Sequence, residues 1–291
     1  MTTAMNPDTT TSEVEETHEG ERSPADALHT NRAQQALPFA VVTGASSGLG
    51  LEMAKGLSAR GYEVLLVARN RAALEALKQT LPNPAWVLVA DLTQREAIDE
   101  LFSWLSRYKR TPEVCINNAG FGAFGRSIDK SADLLADMIA LNVTALTLLS
   151  QGAAQRMLAS ERAGYIMNVA STAAFQACPY LGVYGATKAY VLSFSESLAE
   201  ELATSRVSVT AFCPGPTRTR FGLNAGLLAD SPFDRASANA ADVAVYGLEA
   251  MFERRPIAIE GRLNRISALL SKWLPRRTVR RLSAKLLKRM Q

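Results

Sequence analysis

Tyr184 and Lys188, four residues apart in the stretch Tyr184-Gly185-Ala186-Thr187-Lys188, are the side chains of this sequence that most directly suggest chemistry. On a helix, residues at this spacing lie on one face, so the phenol and the ammonium can share a site. A free phenol titrates near pH ~10, and a fixed ammonium nearby lowers that pKa. Tyr184 could then give a proton to a carbonyl oxygen or take one from an alcohol. An exposed helical pair without a chemical role is the alternative, so the chain must also supply a hydride carrier and a second polar group.

The size and composition of the chain are those of a globular protein. Its 291 residues, 47% apolar and 21% charged, suffice for one large α/β domain with tails or for two small domains. No apolar run approaches the ~20 residues that cross a bilayer, and the N-terminus lacks a basic-then-apolar signal segment. We therefore expect a cytoplasmic protein without a membrane span.

The cysteines and histidines limit the kinds of site that the chain can build. The three cysteines, Cys115, Cys178 and Cys213, are far apart and lack metal-ligand spacing, which predicts reduced, structural thiols. Both histidines, His18 and His29, lie in the N-terminal segment. A body without histidine cannot hold a Ser-His-Asp triad or a His-rich metal site. Most hydrolase functions are therefore excluded, and no metal is predicted.

Charge is distributed unevenly along a chain whose formal net charge is only +4. Residues 1–37 carry the acids Asp8, Glu13, Glu15, Glu16, Glu19, Glu21 and Asp26 against Arg22 and Arg32. The lack of apolar periodicity in this segment predicts a disordered acidic tail. From residue 254 onward, Glu260 is the one acid among the bases Arg254, Arg255, Arg262, Arg265, Lys272, Arg276, Arg277, Arg280, Arg281, Lys285, Lys288 and Arg289. The basic character is thus local to the C-terminal end.

Between these ends, short apolar runs alternate with amphipathic segments. The predicted strands are 39–43, 64–68, 86–90, 114–117, 165–170 and 207–212, and the predicted helices are 51–60, 72–79, 95–108, 134–159 and 183–203. Helices of this length between strands imply right-handed crossovers and a parallel sheet, and continuously apolar strands imply burial on both faces. The predicted fold class is α/β, a single Rossmann-like doubly wound parallel sheet with helices on both faces. It spans 38–261, between the tails 1–37 and 262–291.

A glycine-rich turn joins the first predicted strand to its helix. Gly44 permits a tight turn, Gly48 lets the backbone approach a pyrophosphate, and Gly50 lets helix and sheet pack closely. Free amides at the helix N-terminus suit phosphate oxygens, so the turn predicts a dinucleotide site. The spacing is G-x-x-x-G-x-G rather than the commonest Rossmann fingerprint, and a purely structural turn would look similar.

The second predicted strand ends at Arg69, where an NAD site usually has an Asp or Glu for the ribose hydroxyls. A carboxylate would repel a 2′-phosphate, whereas Arg69 could clamp it and stack on the adenine. The sequence therefore predicts NADP(H) in preference to NAD(H). The alternative is an Arg69 that is simply solvated.

From Phe39 to about Gly261, the sequence resembles the short-chain dehydrogenase/reductase family, with the family's motifs in order and at the right spacing. The resemblance implies a set of cofactor-binding residues: Gly44, Ser46, Ser47, Gly48, Leu49 and Gly50 in the glycine loop, Asp91 and Leu92 beside the adenine, Asn118, Ala119 and Gly120 in an Asn-Asn-Ala-Gly turn, Tyr184, Lys188, and Pro214, Gly215, Thr217 and Thr219 over the nicotinamide.

The same resemblance implies four catalytic residues. Ser171 would hydrogen-bond the substrate oxygen, and Tyr184 would exchange the proton with it. Lys188 would keep the phenol acidic, and Asn142 would help to hold the lysine through water. The implied function is an NADP(H)-dependent oxidoreductase that reduces a carbonyl (ketone or aldehyde, 3-oxoacyl or steroid-like) to an alcohol or runs the reverse reaction.

Two other functions fit the same fold. One is a non-catalytic dinucleotide-binding sensor or interaction protein, which the loss of Tyr184, Lys188 or Ser171 would favour. The other is an epimerase or dehydratase, whose relatives usually have a larger substrate domain. Family members commonly assemble through helix faces such as 134–159 and 183–203, so the resemblance implies a homodimer or homotetramer.

The substrate pocket is predicted between the segments 121–127, 173–180 and 220–238. Their apolar members are Phe121, Phe124, Phe175, Tyr180, Phe221, Leu223, Leu227 and Leu228, and a carboxylate clamp could come only from Arg126 or Arg220. This composition favours an apolar small-molecule carbonyl or alcohol. Ordinary loop packing or a subunit contact is the alternative.

The C-terminal segment departs from the plain family pattern. After a predicted edge strand at 256–260, ended by Gly261, apolar residues recur at helical spacing. They are Leu263, Ile266, Leu269, Leu270, Trp273 and Leu274 before Pro275, and Val279, Leu282, Leu286 and Met290 after it. Three interpretations remain open: packing on the domain or near the substrate mouth, contact with an anionic membrane surface, and nucleic-acid binding. The last lacks any recognised module, so no nucleic-acid partner is predicted.

Overall fold

Seven parallel strands form one sheet in the part of the chain that the structure describes. The computed structural model describes residues 37–226 and 237–288. The strands are β1 Phe39–Thr43, β2 Glu63–Ala68, β3 Ala85–Val89, β4 Val114–Asn117, β5 Gly164–Val169, β6 Val207–Cys213 and β7 Ile257–Ile259. Their order is β3-β2-β1-β4-β5-β6-β7, and every pairing is parallel. The doubly wound sheet and the edge strand within 256–260 are confirmed.

Helices join the strands and cover both faces of the sheet. They are α1 Gly48–Ala59, α2 Arg71–Thr80, α3 Arg95–Arg107, α4 Ala132–Ile139, α5 Leu146–Ala159, α6 Gly182–Glu201, α7 Phe221–Asn224, α8 Ala240–Phe252, α9 Arg262–Trp273 and α10 Arg276–Lys288. Most predicted bounds are within two residues of these. The start of α1 is the exception, because the helix begins at Gly48 in the glycine loop rather than at Leu51.

Alternate residues of each central strand enter two separate apolar layers. In β1, Ala40 and Val42 lie in the layer that α1 and α8 cover, whereas Phe39 and Val41 lie in the layer that α3 and α5 cover. Successive side chains of a strand point to opposite faces, so a strand between two helix layers must be apolar throughout. This burial on both sides holds the carboxyl ends of the strands in fixed positions.

The single helix predicted at 134–159 is interrupted in the structure. A π-helical turn, Ala140–Ala145, separates α4 from α5. Such a turn adds a residue to the helix and changes the direction of the side chains beyond it. It places Asn142, which is fully buried, beneath the carboxyl edge of the sheet.

Among the described residues, one helical stretch is long and apolar enough to cross a membrane, judged by length and composition alone. It is Ala132–Ala159, with a mean hydropathy of 1.6. Its residues Leu149, Ala153 and Met157 pack in the apolar layer against the sheet. A core helix of an α/β domain has the same properties, so this stretch is weak evidence for a span.

All three cysteines are free thiols and buried, as the sequence predicts. Burial raises the pKa of Cys115 and Cys213 to about 12 and that of Cys178 to about 11. These thiols therefore pack as small apolar side chains rather than acting as nucleophiles at neutral pH.

The C-terminal segment forms two helices, α9 and α10, after Gly261, whose φ of +83° turns the chain out of β7. Helix α9 packs on the domain beside the 3-10 turn Thr172–Phe175, where the Ser271 hydroxyl donates to the carbonyl of Phe175 at 3.2 Å. Packing near the predicted substrate mouth is therefore observed for α9. Several predictions fall outside the described residues. They concern the disordered tail up to residue 36, and the apolar residues Leu227, Leu228 and Met290.

Candidate active site

A cavity of about 720 Å³ lies at the carboxyl edge of the sheet. The strand order changes direction between β1 and β4, and open α/β sheets bind ligands outside such a switch point. Of the predicted site residues, all but Gly50 and Asn142 line this cavity: Gly44, Ser46, Ser47, Gly48, Leu49, Arg69, Asp91, Leu92, Asn118, Ala119, Gly120, Ser171, Tyr184, Lys188, Pro214, Gly215, Thr217 and Thr219. The fold thus brings together residues spread over 176 positions of the sequence, from 44 to 219.

The glycine loop is held in shape by Asn118. The Asn118 side-chain amide donates to the carbonyls of Thr43, at 3.0 Å, and Gly44, at 3.3 Å. Gly44 has a φ of +66°, which favours glycine. A Cβ at Gly50 would collide with the Gly44 carbonyl oxygen and with the Asn118 amide. Gly50 does not line the cavity, but it allows α1 to pack closely against the glycine loop. Asn118 holds that loop in shape through its two hydrogen bonds.

The N-terminus of α1 fits a diphosphate group. Ser47 occupies the N-cap but makes no side-chain cap hydrogen bond, so the first amides of the helix remain available as donors. Gly48 has a φ of +57°, and a Cβ there would come within 3.0 Å of the Thr219 methyl group. Backbone donors, the positive end of the helix dipole and space left by a missing side chain together suit phosphate oxygens.

The ends of β2 and β3 supply a cation and an anion to the cavity. The Arg69 guanidinium lies 4.0 Å from the Asp91 carboxylate, and its side chain is 76% exposed. The Asp91 carboxylate also accepts hydrogen bonds from the Thr93 amide and hydroxyl. A long, exposed ion pair is weak, so Arg69 can turn toward an anionic ligand at small cost. Asn70, the next residue, caps α2 by accepting from the Ala73 amide.

Tyr184, Lys188 and Ser171 converge in the cavity. Tyr184 and Lys188 lie on α6, and Ser171 lies two residues after the end of β5, at the N-cap of the 3-10 turn. The Ser171 and Tyr184 side chains both line the cavity, and interaction with the Ser171 side chain lowers the pKa of the Tyr184 phenol. The Lys188 ammonium lies 5.8 Å from the Tyr184 ring centre and donates to the Val169 carbonyl at 2.6 Å. The second polar group that the sequence argument required is thus present.

The pKa of Tyr184 differs from the sequence expectation. Burial raises it to about 12, and the interaction with Ser171 offsets this only in part. Burial also lowers the pKa of Lys188 to about 8. The expectation that the ammonium would lower the phenol's pKa is wrong for the protein without ligand, because desolvation of the phenolate outweighs the other influences.

Asn142 supports the site from beneath. Its side-chain oxygen accepts from the Phe121 amide at 3.1 Å, and its nitrogen donates to the Phe121 carbonyl at 2.9 Å and the Thr187 hydroxyl at 3.0 Å. A Cβ at Gly120 would lie 2.9 Å from the Asn142 oxygen and 3.4 Å from the Lys188 nitrogen. Gly120 therefore leaves open space between Asn142 and Lys188. The predicted link through water stays a prediction.

The segment after β6 closes the opposite side of the cavity. The Thr217 hydroxyl donates to the Gly215 carbonyl at 2.9 Å, and the Thr219 hydroxyl accepts from the Phe221 amide at 3.2 Å. A Cβ at Gly215 would collide with the Asn264 side chain of α9. The C-terminal extension is thus in direct contact with the segment predicted to cover the nicotinamide.

The predicted substrate wall is partly confirmed. Phe121, Phe221 and Arg220 line the cavity, and the Phe221 ring lies 5.1 Å from the Tyr184 ring. The other predicted members that the structure describes do not line it. Phe124 and Tyr180 stack on each other at 6.2 Å, Phe175 and Leu223 lie outside, and Arg126 pairs with Asp129. Loop packing, the alternative weighed from the sequence, describes Phe124, Tyr180 and Phe175, whereas Leu223 is exposed.

A buried polar network behind the site was missed by sequence reasoning. The Asn168 side-chain oxygen accepts from Asn117 and Ser150, both at 2.9 Å, and its nitrogen donates to the Ser195 hydroxyl at 3.0 Å. The network joins β4 and β5 to α5 and α6. It fixes β5, which leads into Ser171, against α6, which carries Tyr184 and Lys188. The two asparagines stand beside recognised motifs, but nothing in the sequence singles out the serines.

A metal site is not found in the described part of the chain. Residues 37–226 and 237–288 contain no group of three or more His, Cys, Asp or Glu side chains that could hold an ion.

Known proteins share both this sequence pattern and this arrangement. Residues 38–228 match the family model described as short chain dehydrogenase. The chain belongs to the short-chain dehydrogenase/reductase family. Being a member of this family, the protein is an oxidoreductase.

Relatives of the short-chain dehydrogenase/reductase type include proteins without an assigned substrate. An uncharacterized oxidoreductase of Staphylococcus epidermidis is 35% identical over 180 residues, covering 62% of this chain and 78% of the relative. One from Staphylococcus aureus is 31% identical over 222 residues, covering 76% and 94%.

Two solved structures of short-chain dehydrogenases are also similar to this chain. The enzyme of Sphingobium yanoikuyae, in complex with NADPH, is 32% identical with a TM-score of 0.73, covering 81% of this chain and 94% of that one. The enzyme of Burkholderia phymatum, in complex with NAD, is 25% identical with a TM-score of 0.73, covering 80% and 92%.

Proposed function

We propose that this protein is an NADP(H)-dependent carbonyl reductase that converts an apolar ketone or aldehyde into an alcohol. The observation that carries the proposal is the convergence of the Ser171 and Tyr184 hydroxyls beside Lys188, in the same cavity as a helix N-terminus that fits a diphosphate. A non-catalytic dinucleotide sensor on the same fold would not need these three side chains together.

The roles of the residues follow from their positions. The nicotinamide, when bound, supplies or accepts the hydride. Ser171 and Tyr184 donate hydrogen bonds to the carbonyl oxygen, which stabilises the negative charge that develops there. Tyr184 then transfers its proton to that oxygen. Lys188 provides a fixed positive charge that favours phenolate formation as the proton leaves.

The raised pKa of Tyr184 bears on the direction of the reaction. With a pKa of about 12, the phenol holds its proton throughout the neutral range, so it is ready to act as an acid. Alcohol oxidation needs the phenolate as the base, and that form is scarce at neutral pH. The protein without ligand is therefore in the protonation state that carbonyl reduction requires.

The preference for NADP(H) rests on Arg69. It lines the cavity at the end of β2, largely exposed and only loosely paired with Asp91, so it can bind a 2′-phosphate. The similar enzyme of Sphingobium yanoikuyae is in complex with NADPH, although that of Burkholderia phymatum is in complex with NAD.

The substrate is proposed to be apolar because Phe121, Leu181 and Phe221 lie in the cavity wall near Tyr184. Arg220 is the cation on that side that could bind an acidic group. Three expectations from the sequence stay predictions. They are a cytoplasmic location, a homodimer or homotetramer, and membrane contact through 262–291.

A carbonyl-compound panel with NADPH and NADH, followed at the absorbance of the reduced cofactor, tests the proposal. We expect oxidation of NADPH with at least one apolar ketone or aldehyde. Tyr184→Phe should lower kcat by about 100-fold or more while NADPH affinity changes little. The matched control is Tyr190→Phe, on the same helix, whose hydroxyl contacts Thr147 instead of the cavity. Retained turnover in Tyr184→Phe would refute the proton path, and absence of dinucleotide binding would refute the function as a whole.

A further inference from the structure

Helix α9 presents its apolar side away from the domain. Leu263 is 82% exposed and Trp273 79%, and Ile266, Leu269 and Leu270 are each at least half exposed. Positions 263, 266, 270 and 273 follow the spacing of a single helical stripe. The opposite side of the helix, which faces the protein, carries small and polar residues. Ala268 is 5% exposed, Asn264 touches Gly215, and Ser271 bonds to Phe175. A helix that served only to cover the domain would have the reverse pattern.

Helix α10 continues the same character. Leu282 and Leu286, one helical turn apart, are both more than half exposed. The remaining surface of the helix is basic, with Arg276, Arg277, Arg280, Arg281, Lys285 and Lys288 exposed. Apolar and basic surfaces therefore lie side by side along α9 and α10.

The charge of this segment has one sign. Residues 262–288 contain nine bases, Arg262, Arg265, Lys272, Arg276, Arg277, Arg280, Arg281, Lys285 and Lys288, and no acid. Among the described ion pairs, none involves an arginine of this segment. No described carboxylate therefore neutralises the charge of these arginines.

The two helices also form part of the cavity wall. Asn264, Ser267 and Ala268 of α9 and Ser283, Leu286 and Leu287 of α10 line the cavity that contains Tyr184 and Ser171. Leu286 is both exposed and part of the wall. The exposed apolar surface of α10 therefore reaches the cavity wall at Leu286.

We infer that α9 and α10 seat the protein on an anionic lipid leaflet and that the cavity receives a lipid-soluble carbonyl substrate from it. An exposed apolar stripe with Trp beside a basic surface is the pattern of helices that lie in the membrane interface. Each base near an anionic leaflet adds to the electrostatic attraction. A second copy of the chain is disfavoured as the occupant, because a two-fold contact would bring the two basic surfaces together. The substrate part rests on the proposed reductase function, whereas the membrane contact does not.

Vesicle flotation of the full-length protein tests the membrane contact. Wild type should float with phosphatidylcholine vesicles that contain phosphatidylglycerol and remain unbound with phosphatidylcholine alone. The double variant Leu270→Glu/Trp273→Glu should bind at least tenfold more weakly, since it removes the apolar contact and adds negative charge. The matched control is Ile128→Glu/Leu158→Glu, at two exposed apolar positions outside α9 and α10, which should bind within twofold of wild type. Thermal melting checks that both variants fold.

Two outcomes of flotation would overturn the membrane contact. One is equal flotation of the α9 variant and the control variant, and the other is binding that does not depend on phosphatidylglycerol. Light scattering without lipid tests whether a second copy of the chain binds this surface instead. If wild type is an oligomer and only Leu270→Glu/Trp273→Glu is a monomer, the surface is a subunit contact and the inference is refuted.

The delivery of substrate is tested separately with two ketones of the same reactive group, one long-chain and held in the vesicles, the other short and water-soluble. Vesicles should raise wild-type turnover of the long-chain ketone at least severalfold and leave the short one unchanged. Leu270→Glu/Trp273→Glu should lose that increase and keep its rate on the short ketone. An equal increase in wild type and variant would refute delivery through α9. No turnover of either ketone by wild type would instead refute the proposed function, and the flotation result would stand.

Discussion

The Lys188 ammonium donates a 2.6 Å hydrogen bond to the carbonyl of Val169, two residues before Ser171. Through this bond, the helix that carries the phenol is attached to the strand that leads to the serine. The bond also fixes the position of a buried positive charge, which lies 5.8 Å from the Tyr184 ring centre. The site therefore depends on Lys188 for geometry as well as for charge.

Replacing Lys188 with Met should change how stability depends on pH. Burial lowers the pKa of Lys188 from 10.5 to about 8, so the unfolded chain binds the proton more tightly than the folded protein does. Below pH 8, the folded protein bears the full free-energy cost of burying the ammonium. As pH rises from about 8 to 10.5, the folded protein loses this proton while the unfolded chain keeps it, so the free energy of unfolding increases. Between pH 7 and 9, wild type should gain on the order of 1 kcal/mol of unfolding free energy relative to Lys188→Met.

Urea unfolding at several pH values measures this difference. The cysteine thiols of the unfolded chain also ionise in this pH range while burial keeps the folded ones protonated. Both proteins contain the same thiols, so this contribution cancels in the difference between them. Parallel stability curves for wild type and Lys188→Met would show that the lysine titrates outside this range.

Arg69 should determine the choice of cofactor. Arg69→Gln removes the cation that can bind a 2′-phosphate, and a charge-assisted hydrogen bond of this kind is worth about 1.5–3 kcal/mol. The affinity for NADPH should therefore fall about tenfold or more, with little change for NADH, in fluorescence titrations. Arg95→Gln, at an exposed arginine on α3 that pairs with Asp99, is the control and should not alter the ratio. An unchanged ratio in Arg69→Gln would mean that Arg69 is only solvated.

Gly50→Ala should weaken dinucleotide binding although Gly50 does not line the cavity. The added Cβ would displace the Gly44 carbonyl and the Asn118 amide that shape the loop, so NADPH affinity should fall at least tenfold. The control is Gly61→Ala, where φ is +89° but no atom lies within 4 Å. This control should lose about 1 kcal/mol of stability through backbone strain and bind NADPH normally. Normal binding by Gly50→Ala would contradict the role of the loop.

Asn168→Ala should be strongly destabilising. Asn168 accepts from Asn117 and Ser150 and donates to Ser195, so the variant leaves three buried polar groups without this partner. The expected loss is on the order of 2–4 kcal/mol in urea unfolding. Asn70→Ala, which removes a helix cap at the surface, should cost only about 1 kcal/mol. A similar loss in both variants would mean that the network contributes little.

The sequence predicted best those features that local spacing determines. The four-residue interval of Tyr184 and Lys188 and the glycines after β1 require only a helix and a turn, and both are observed. The parallel sheet follows from the same alternation of strands and helices. Most observed elements begin and end within one or two residues of the predicted bounds.

The features that the sequence did not reveal depend on tertiary surroundings. The pKa of Tyr184 is set mainly by burial. The four-residue spacing to Lys188 carries no information about burial. Asn168 lies 18 and 27 residues from its serine partners, so no local pattern selects them. The periodicity of the apolar residues in α9 is the same whether they face the domain or the solvent. Contacts of Asn264 with Gly215 and of Ser271 with Phe175 place the polar side against the domain, so the apolar side faces outward.

The interruption of the predicted helix at 134–159 has the same kind of cause. The residues Ala140–Ala145 show ordinary helical propensities, and the sequence alone therefore predicts an uninterrupted helix. In the structure, Asn142 bonds to the backbone of Phe121 and to Thr187. These long-range bonds accompany the π turn and could not be inferred from the segment itself.

The burial of all three native thiols has a practical consequence for spectroscopy. With pKa values of about 11 to 12, they offer almost no thiolate to a maleimide reagent at neutral pH. A cysteine introduced at an exposed position, such as Trp273→Cys, should react far faster than they do. Fluorescent dyes can therefore be attached to chosen surface positions without first removing the natural cysteines.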